Sequence, residues 1–151
     1  MATERHSSQW RLITGLCWFI AVQLFVFGPL KFSPVGFFGY PSYPEKFVAW
    51  GYPSWFSFVV GACEIFAGVM LILPRRRFLG AAVMLFVLTG AIATHIINRD
   101  SLRDSIAAPT MLVLSAIVAL ATWPAHWREL FAFGRREAVR AHPQARRASV
   151  G

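Results

Sequence analysis

Two ionisable side chains, Glu64 and His95, stand inside long apolar stretches of this 151-residue sequence. Titratable groups are unfavourable in the hydrocarbon of a lipid bilayer, so they usually face neighbouring helices and mark functional sites. A carboxylate and an imidazole can each take up and release a proton, and at two different depths they suit a proton-transfer path. We therefore predict Glu64 and His95 as candidate catalytic residues, with a purely structural, hydrogen-bonded role as the alternative for each.

Four further polar residues stand in the same stretches or at their ends: Lys31, Asn98, Gln23 and Ser115. At about 1.5 Å per residue along a helix, Gln23 and Ser115 fall near the depth of Glu64. We expect one of these two, Gln23 first, to hydrogen-bond to the Glu64 carboxyl group. Lys31 and Asn98 fall nearer to His95 and predict an outer pocket, so the four residues together are candidates for substrate binding. Burial disfavours a charged carboxylate, so Glu64 should be neutral at pH 7 unless Lys31 or water reaches it.

Metal and thiol chemistry find little support in the sequence. One buried histidine and one buried carboxylate do not complete the three or four protein ligands of a typical metal site, so no metal is expected. Cys17 and Cys63 lie in different stretches, and no Cys-x-x-Cys motif is present. We expect both cysteines to be small buried apolar residues.

The elements that must position these side chains are four apolar stretches of 18 to 20 residues, namely 12–30, 55–73, 78–97 and 106–123. Each matches the roughly 20 apolar residues that cross a hydrocarbon core about 30 Å thick as a helix. Charged residues make up only 15% of the chain, whereas soluble domains carry about 25%. The sequence therefore predicts an all-α membrane protein, in which residues 12–123 form an antiparallel four-helix transmembrane bundle.

The connections between the predicted helices differ in length. Residues 74–77 form a tight turn, which makes the second and third helices antiparallel neighbours. The first outer connection is long, and its residues 44–51 predict a helix of two turns with proline at its start and glycine past its end. Phe47 and Trp50 share a face of that helix, which either rests on the bilayer or caps the bundle. We predict a short interfacial helix in this outer loop.

The arginines and lysines predict an orientation. Eleven of them fall on the side of residues 1–11, 74–77 and 124–151, and four fall on the opposite side. The positive-inside rule then places both termini in the cytoplasm, with residues 124–151 as a basic cytoplasmic tail. Anionic lipid headgroups can balance the net charge of +8, so no nucleic-acid partner is expected. The predicted location is the plasma (cytoplasmic, or inner) membrane of a bacterium.

Residues 12–30 follow two arginines, as the apolar part of a signal peptide does. They end in Gly-Pro-Leu-Lys, however, without the small residues of a signal-peptide cleavage site. We therefore expect this stretch to be retained as the first helix of the bundle.

Three short segments resemble the DoxX family of membrane proteins: Phe-Gly-Pro-Leu-Lys-Phe at 27–32, Gly-Ala-Cys-Glu at 61–64 and Ala-Ile-Ala-Thr-His at 91–95. Their order, spacing and four-span layout extend the resemblance over about residues 12–123. Lys31, Glu64 and His95 match recurring polar positions of that family. The resemblance implies a four-helix bundle. It also links the chain to quinone-linked sulfur oxidation, thiol protection under oxidative stress and membrane-protein assembly, with which relatives are associated.

Two classes of function remain open. The favoured one is an accessory subunit of a membrane redox or stress-protection complex, which binds a membrane or cytoplasmic protein or a second copy of this chain. The alternative is a membrane oxidoreductase that acts on a quinone-like or lipid substrate, with Glu64 and His95 in proton transfer. The sequence shows no flavin, haem or iron–sulfur signature, so quinone is the candidate cofactor and electrons would come from a partner.

Overall fold

The structure is a computed structural model that describes residues 2–36 and 39–123, with side chains from residue 8 onward. Over these residues the regular elements are helices: α1 (Ala2–Leu30), α2 (Tyr43–Ala49), α3 (Phe56–Ile72), α4 (Arg77–Ile97), α5 (Leu102–Ser105) and α6 (Ala107–Ala121). The described part of the chain contains no β-strand, which confirms the all-α prediction. The predicted basic tail, residues 124–151, lies outside the described residues.

Three apolar helical segments are long enough to cross a membrane, judged by length and composition: Ser8–Leu30 within α1, α4, and Leu102–Ala121, which joins α5 and α6. The remaining apolar helix, α3, has 17 residues and so spans about 25 Å, less than a hydrocarbon core of about 30 Å. The structure thus provides three to four helices suited to a membrane bundle. The count of four transmembrane spans stays a prediction.

The helix ends differ from the boundaries of the apolar stretches. α1 begins at Ala2, well before the predicted start at Leu12, because residues 3–11 are polar but include no glycine or proline that would stop a helix. At the last span, the Ser101 side chain accepts a hydrogen bond from the backbone N–H of Asp104 and starts α5. The helical segment that contains α6 therefore begins earlier than residue 106.

Within residues 2–36 and 39–123, four helices form the body of the structure. α1 packs on α3, α3 on α4 and α4 on α6, while α1 and α6 contact each other less extensively. Glycines allow the closest approaches: a Cβ added at Gly61 would lie 2.8 Å from the carbonyl oxygen of Gly28, and one added at Gly80 would lie 2.7 Å from that of Ala67. Small residues at such crossings are typical of membrane helix pairs. The core contains buried apolar side chains from all four helices, among them Cys17, Ile20, Leu24, Leu71, Met84 and Val118.

The short helix α2 overlaps the segment predicted to be helical, 44–51, but begins one residue earlier and ends at Ala49. Its place in the membrane interface stays a prediction. Its N-terminus is held by a capping box, in which the Ser42 side chain accepts from the Glu45 N–H and the Glu45 carboxylate accepts from the Ser42 N–H at 2.9 Å. Phe47 is 7% exposed, and its ring centroid lies 5.9 Å from that of Phe56 on α3. Of the two alternatives for the face of Phe47, contact with the bundle is the one that the structure shows.

Candidate functional site

Lys31 and Glu64 form a buried ion pair between the end of α1 and the middle of α3. Lys31 Nζ donates a hydrogen bond to Glu64 Oε2 at 2.7 Å, and the two residues are 7% and 8% exposed. The close α1–α3 crossing explains the pairing, because the Lys31 Cβ lies beside Gly61, about one helical turn before Glu64. Lys31 is therefore the residue that reaches the Glu64 carboxyl group.

The expected hydrogen bond from Gln23 or Ser115 to Glu64 is wrong. Neither side chain bonds to Glu64 within the described residues, and Ser115 Oγ is buried there without a hydrogen-bond partner. Depth along a helix does not predict the observed pairing, because a long lysine side chain carries its ammonium group well away from its own Cα.

An aromatic residue of α2 lies over the ion pair. The centroid of the Tyr43 ring is 4.5 Å from Lys31 Nζ, which places the ammonium group over the ring face as in a cation–π contact. Burial, and after it the negative charge of Glu64, raises the pKa of the Tyr43 phenol above its ordinary value. Tyr43 therefore keeps its hydroxyl proton at physiological pH and provides a hydrogen-bond donor near the pair.

His95 is held by Trp50 and by Asp100, a residue that was not predicted to belong to the site. His95 Nδ1 lies 2.6 Å from Asp100 Oδ2, and Trp50 Nε1 donates to the same oxygen at 3.1 Å. The rings of Trp50 and His95 meet edge to face, with centroids 5.2 Å apart. Burial by itself would raise the pKa of Asp100, but hydrogen bonds from His95 and Trp50 outweigh it and lower that pKa below its ordinary value. Asp100 is therefore a carboxylate at neutral pH.

Asp100 reaches His95 through the turn that ends α4. Arg99 has a φ of 55°, the left-handed conformation that glycine usually supplies at the end of a helix. The N–H of Asp100 bonds to the carbonyl of His95 at 3.1 Å, and the N–H of Arg99 bonds to that of Ile96 at 3.2 Å. Together these bonds form a Schellman motif, which folds Asp100 back onto the imidazole. The available signal was an acidic residue just after a histidine at the end of a predicted helix. The turn was not predicted, because arginine stands where glycine usually marks a left-handed residue.

Asn98, which was expected in the outer pocket, bonds to its own helix. Its Nδ2 donates to the carbonyl oxygen of Thr94 at 2.9 Å. The hydroxyl of the same Thr94 lies 3.0 Å from that of Tyr52, which ties the loop after α2 to α4. Asn98 thus supports the C-terminal end of α4.

A cavity of about 540 Å³ lies between α1, α3, α4 and α6, with α2 at one end. The polar end contains Lys31, Tyr43, Lys46, Trp50, Glu64 and His95. The other end is lined mostly by apolar residues, with the polar Gln23 among them; the apolar residues include Phe19, Leu24, Met84, Leu88, Met111 and Leu114. Of the four residues expected in a polar pocket, Lys31 and Gln23 line this cavity, whereas Asn98 and Ser115 are not among its described lining residues. Its volume lies within the range of about 300–1,000 Å³ that is typical of small-molecule sites.

The cavity reaches the surface of the bundle between α1 and α6. Phe19 and Phe27 of α1 line it on one side and are about half exposed, while the exposed Ile106 and Thr110 line it on the other. This is also the pair of helices with the less extensive contact.

The described residues contain no group of three His, Cys, Asp or Glu side chains that could hold a metal ion. Cys17 is a buried free thiol, and Cys63 is a half-buried one on a different helix. The groups that line the cavity include its ion pair, the His95 imidazole and the aromatic donors Tyr43 and Trp50.

Comparison with known proteins agrees with the resemblance seen in three short segments. The model of the DoxX-like family matches residues 16–120, which is more than two thirds of the chain and includes Lys31, Glu64, His95 and Asp100. No curated protein and no solved structure gives a significant match.

Proposed function

This chain belongs to the DoxX-like family, and from the cavity between its helices we propose that it binds a quinone-like molecule or a similar small amphipathic lipid. The observation that carries the proposal is the two-ended lining of the cavity, with ionisable and aromatic groups at one end and apolar side chains at the other. A polar metabolite would leave the apolar end unfilled. A ring that carries oxygen atoms and an apolar tail matches both ends.

The polar end offers the hydrogen-bonding groups that ring oxygens require. Tyr43 supplies a hydroxyl, His95 a ring nitrogen and Lys31 an ammonium group, and all three line the cavity. We propose that Glu64 and His95 are the groups that take up or release protons at this end, because both are titratable and held by a hydrogen-bond partner. Lys31 would hold the Glu64 carboxylate in place.

The opening between α1 and α6 suits a ligand that is dissolved in the membrane. Its exposed borders, Phe19 and Phe27 on one side and Ile106 on the other, are apolar. A quinone-like molecule could therefore enter with its tail still in lipid. We propose this side of the bundle as the entrance.

We place the site in a membrane subunit that works with a partner. Oxidation or reduction of a quinone-like ligand needs an electron carrier, and we propose that a partner protein supplies it. In this arrangement the chain acts as an accessory subunit that holds the ligand and moves its protons. The proposed location is the plasma membrane of a bacterium, with both termini in the cytoplasm.

A binding experiment with a matched pair of variants tests the proposal. The protein in lipid nanodiscs is titrated with a short-chain benzoquinone, and quenching of tryptophan fluorescence is measured, because Trp50 lines the cavity. Ala91→Phe fills the cavity and should weaken binding by about tenfold or more, about 1.4 kcal/mol. Ala93→Phe adds the same side chain at an exposed position of α4 and should bind as the unmodified protein does.

Two results would contradict the proposal. One is the absence of saturable binding in the unmodified protein. The other is an equal affinity of the Ala91→Phe and Ala93→Phe variants, with helix content by circular dichroism showing that both are folded.

A further inference from the structure

We propose that Asp100 is the positioning residue for His95: it keeps the proton on Nδ1 and leaves Nε2 as a hydrogen-bond acceptor for a hydroxyl group of the ligand. The first half concerns this chain alone, and the second half rests on the proposed function. Asp100 lies outside the apolar stretches and outside the residues predicted to form the site.

The direction of the His95–Asp100 hydrogen bond follows from Trp50. An indole N–H can only donate, so Asp100 Oδ2 accepts from Trp50 Nε1 at 3.1 Å. His95 Nδ1 approaches the same oxygen at 2.6 Å. Because Asp100 is a carboxylate, its Oδ2 has no proton to donate. It must therefore accept the hydrogen bond from His95 as well. The proton between His95 and Asp100 therefore belongs to Nδ1.

The backbone holds Asp100 in this position. The Schellman motif around Arg99 ends α4, and its bond from the N–H of Asp100 to the carbonyl of His95 ties the two residues together. The rings of Trp50 and His95 also pack against each other, nearly perpendicular. His95 is thus fixed through Nδ1 by Asp100, and it is one of the residues that line the cavity.

Other charged groups near His95 are engaged elsewhere in the described structure. Lys46 of α2 lies over the Trp50 ring, 5.0 Å from its centroid. Lys31 and Glu64 pair with each other, and Asp104, which also lines the cavity, accepts a hydrogen bond from the Ser101 hydroxyl at 2.8 Å. Asp100 is therefore the carboxylate that sets the tautomer of His95.

This tautomer predicts which form of a ligand binds. Neutral His95 offers a bare Nε2, which accepts a hydrogen bond from a hydroxyl but offers no proton to a carbonyl oxygen. A hydroquinone carries the hydroxyl and the corresponding quinone does not. We therefore expect the cavity to favour the hydroquinone when His95 is neutral.

The first test determines which nitrogen of His95 carries the proton. Protein labelled with ¹⁵N-histidine in nanodiscs is studied by NMR at about pH 8, above the usual titration range of histidine, and the His95 signals are assigned with His95→Gln. We expect the proton on Nδ1, and we expect it to move to Nε2 in Asp100→Leu. Asp104→Asn removes another carboxylate of the cavity and should leave the tautomer unchanged. Trp50→Phe should also keep the proton on Nδ1, which separates the effect of Asp100 from the packing of α2.

A proton on Nε2 in the unmodified protein would overturn the proposal even if the Asp100→Leu variant fails to fold. The proposal is also overturned if a folded Asp100→Leu variant keeps its proton on Nδ1.

The second test compares a short-chain benzoquinone with its hydroquinone under argon at about pH 8. The unmodified protein should bind the hydroquinone about fivefold more tightly, the factor expected from one hydrogen bond, and Asp100→Leu should lose this preference. An equal loss of affinity for both forms would mean that Asp100 acts only by holding α2, and it would overturn the role in ligand selection. Binding of neither form by an unmodified protein that carries its proton on Nδ1 would overturn the proposed function and leave the positioning of His95 supported.

Discussion

Lys31 and Glu64 are buried together, and each depends on the other. Removing one partner of a buried ion pair leaves an uncompensated charge, which typically destabilises a protein by about 3–5 kcal/mol. Replacing both partners by apolar residues of similar size is often nearly neutral. The pair at the α1–α3 crossing should follow the same rule, because both residues are less than one tenth exposed.

We predict that Glu64→Leu and Lys31→Met each lower the free energy of unfolding by about 3 kcal/mol, and that the double variant recovers most of the loss. Glu64→Gln should lose less than Glu64→Leu, because the amide oxygen still accepts a hydrogen bond from Lys31. Unfolding in detergent, analysed as a double-mutant cycle, measures these differences. Thr89→Val serves as the control, since Thr89 is exposed and bonds only to the carbonyl of Leu85 on its own helix. Strictly additive losses in the double variant would show that the two residues are not coupled.

The type and placement of single residues predicted Lys31, Glu64 and His95 as site residues. They did not predict the pairing, because Gln23 or Ser115 was expected beside Glu64 and Asp100 was not expected in the site. Glu64 and His95 were recognisable because ionisable groups are rare in apolar stretches. The partner of Glu64 depends on the close approach of Lys31 to Gly61, and spacing along one helix carries no information about another. Asp100 depends on a left-handed Arg99, a conformation that glycine would have indicated and arginine does not.

The lowered pKa of Asp100 makes one contact of α2 sensitive to acid. A carboxylate whose pKa is lowered by folding stabilises the folded state above its ordinary pKa of about 3.9, and this contribution is lost as the pH falls through the lower folded value. We therefore expect the Trp50–Asp100 contact to open below about pH 4. A variant with Trp50 as its only tryptophan should then show a red shift in emission.

Asp100→Asn should abolish this acid transition, whereas Asp104→Asn should retain it. A transition that persists unchanged in Asp100→Asn would assign the acid sensitivity to another group.

At the scale of helices, close crossings depend on glycines at particular positions of α4. A Cβ at Gly80 would meet backbone atoms of α3 at 2.7 Å and 2.9 Å, whereas one at Gly90 would meet nothing within 4 Å. We predict that Gly80→Ala destabilises the protein by about 1–3 kcal/mol, as overpacking does. Gly90→Ala should be neutral or stabilising, because alanine is the better helix former. Thermal unfolding in one detergent compares them, and equal effects would contradict the α3–α4 packing described.

The burial of α2 against the bundle can be measured by labelling. In a Cys17→Ala/Cys63→Ala background, we expect a water-soluble maleimide to react slowly with Phe47→Cys, because Phe47 is 7% exposed. The adjacent Val48 is 56% exposed, so Val48→Cys should react fast. Equal rates at the two positions would show that α2 is detached from α3 in solution.

The length of the apolar stretches, together with the prolines and glycines that interrupt helices, predicted the existence of the helices better than their ends. Proline and glycine marked the extent of α2, and Ser42 with Glu45 supplies the capping box that fixes its start. The start of α1 was not predictable from hydropathy, because a polar segment without breakers continues a helix as readily as an apolar one. The short α5 is defined by the Ser101 cap, a local signal that lies in the connection before an apolar stretch.

At the scale of the whole molecule, the distribution of positive charge makes the orientation testable. Reporter fusions after Arg76 and after Arg147 should both be cytoplasmic, and a fusion after Tyr43 should be outside. The physical reason is the excess of arginine on the side of the termini. A cytoplasmic reporter at Tyr43 would contradict the predicted topology.

The shortness of α3 has a consequence for the surrounding lipid. Where this 17-residue helix crosses the bilayer, as the four-span prediction requires, its apolar length is about 5 Å less than that of the hydrocarbon core. Hydrophobic mismatch of this kind is relieved by thinning of the adjacent bilayer or by self-association, at fractions of a kcal/mol per ångström. Lipids with short acyl chains should therefore favour the monomer. Lipids with long acyl chains should favour association of two copies of the protein through α3. Membrane thickness would then control how many copies of the protein meet along α3.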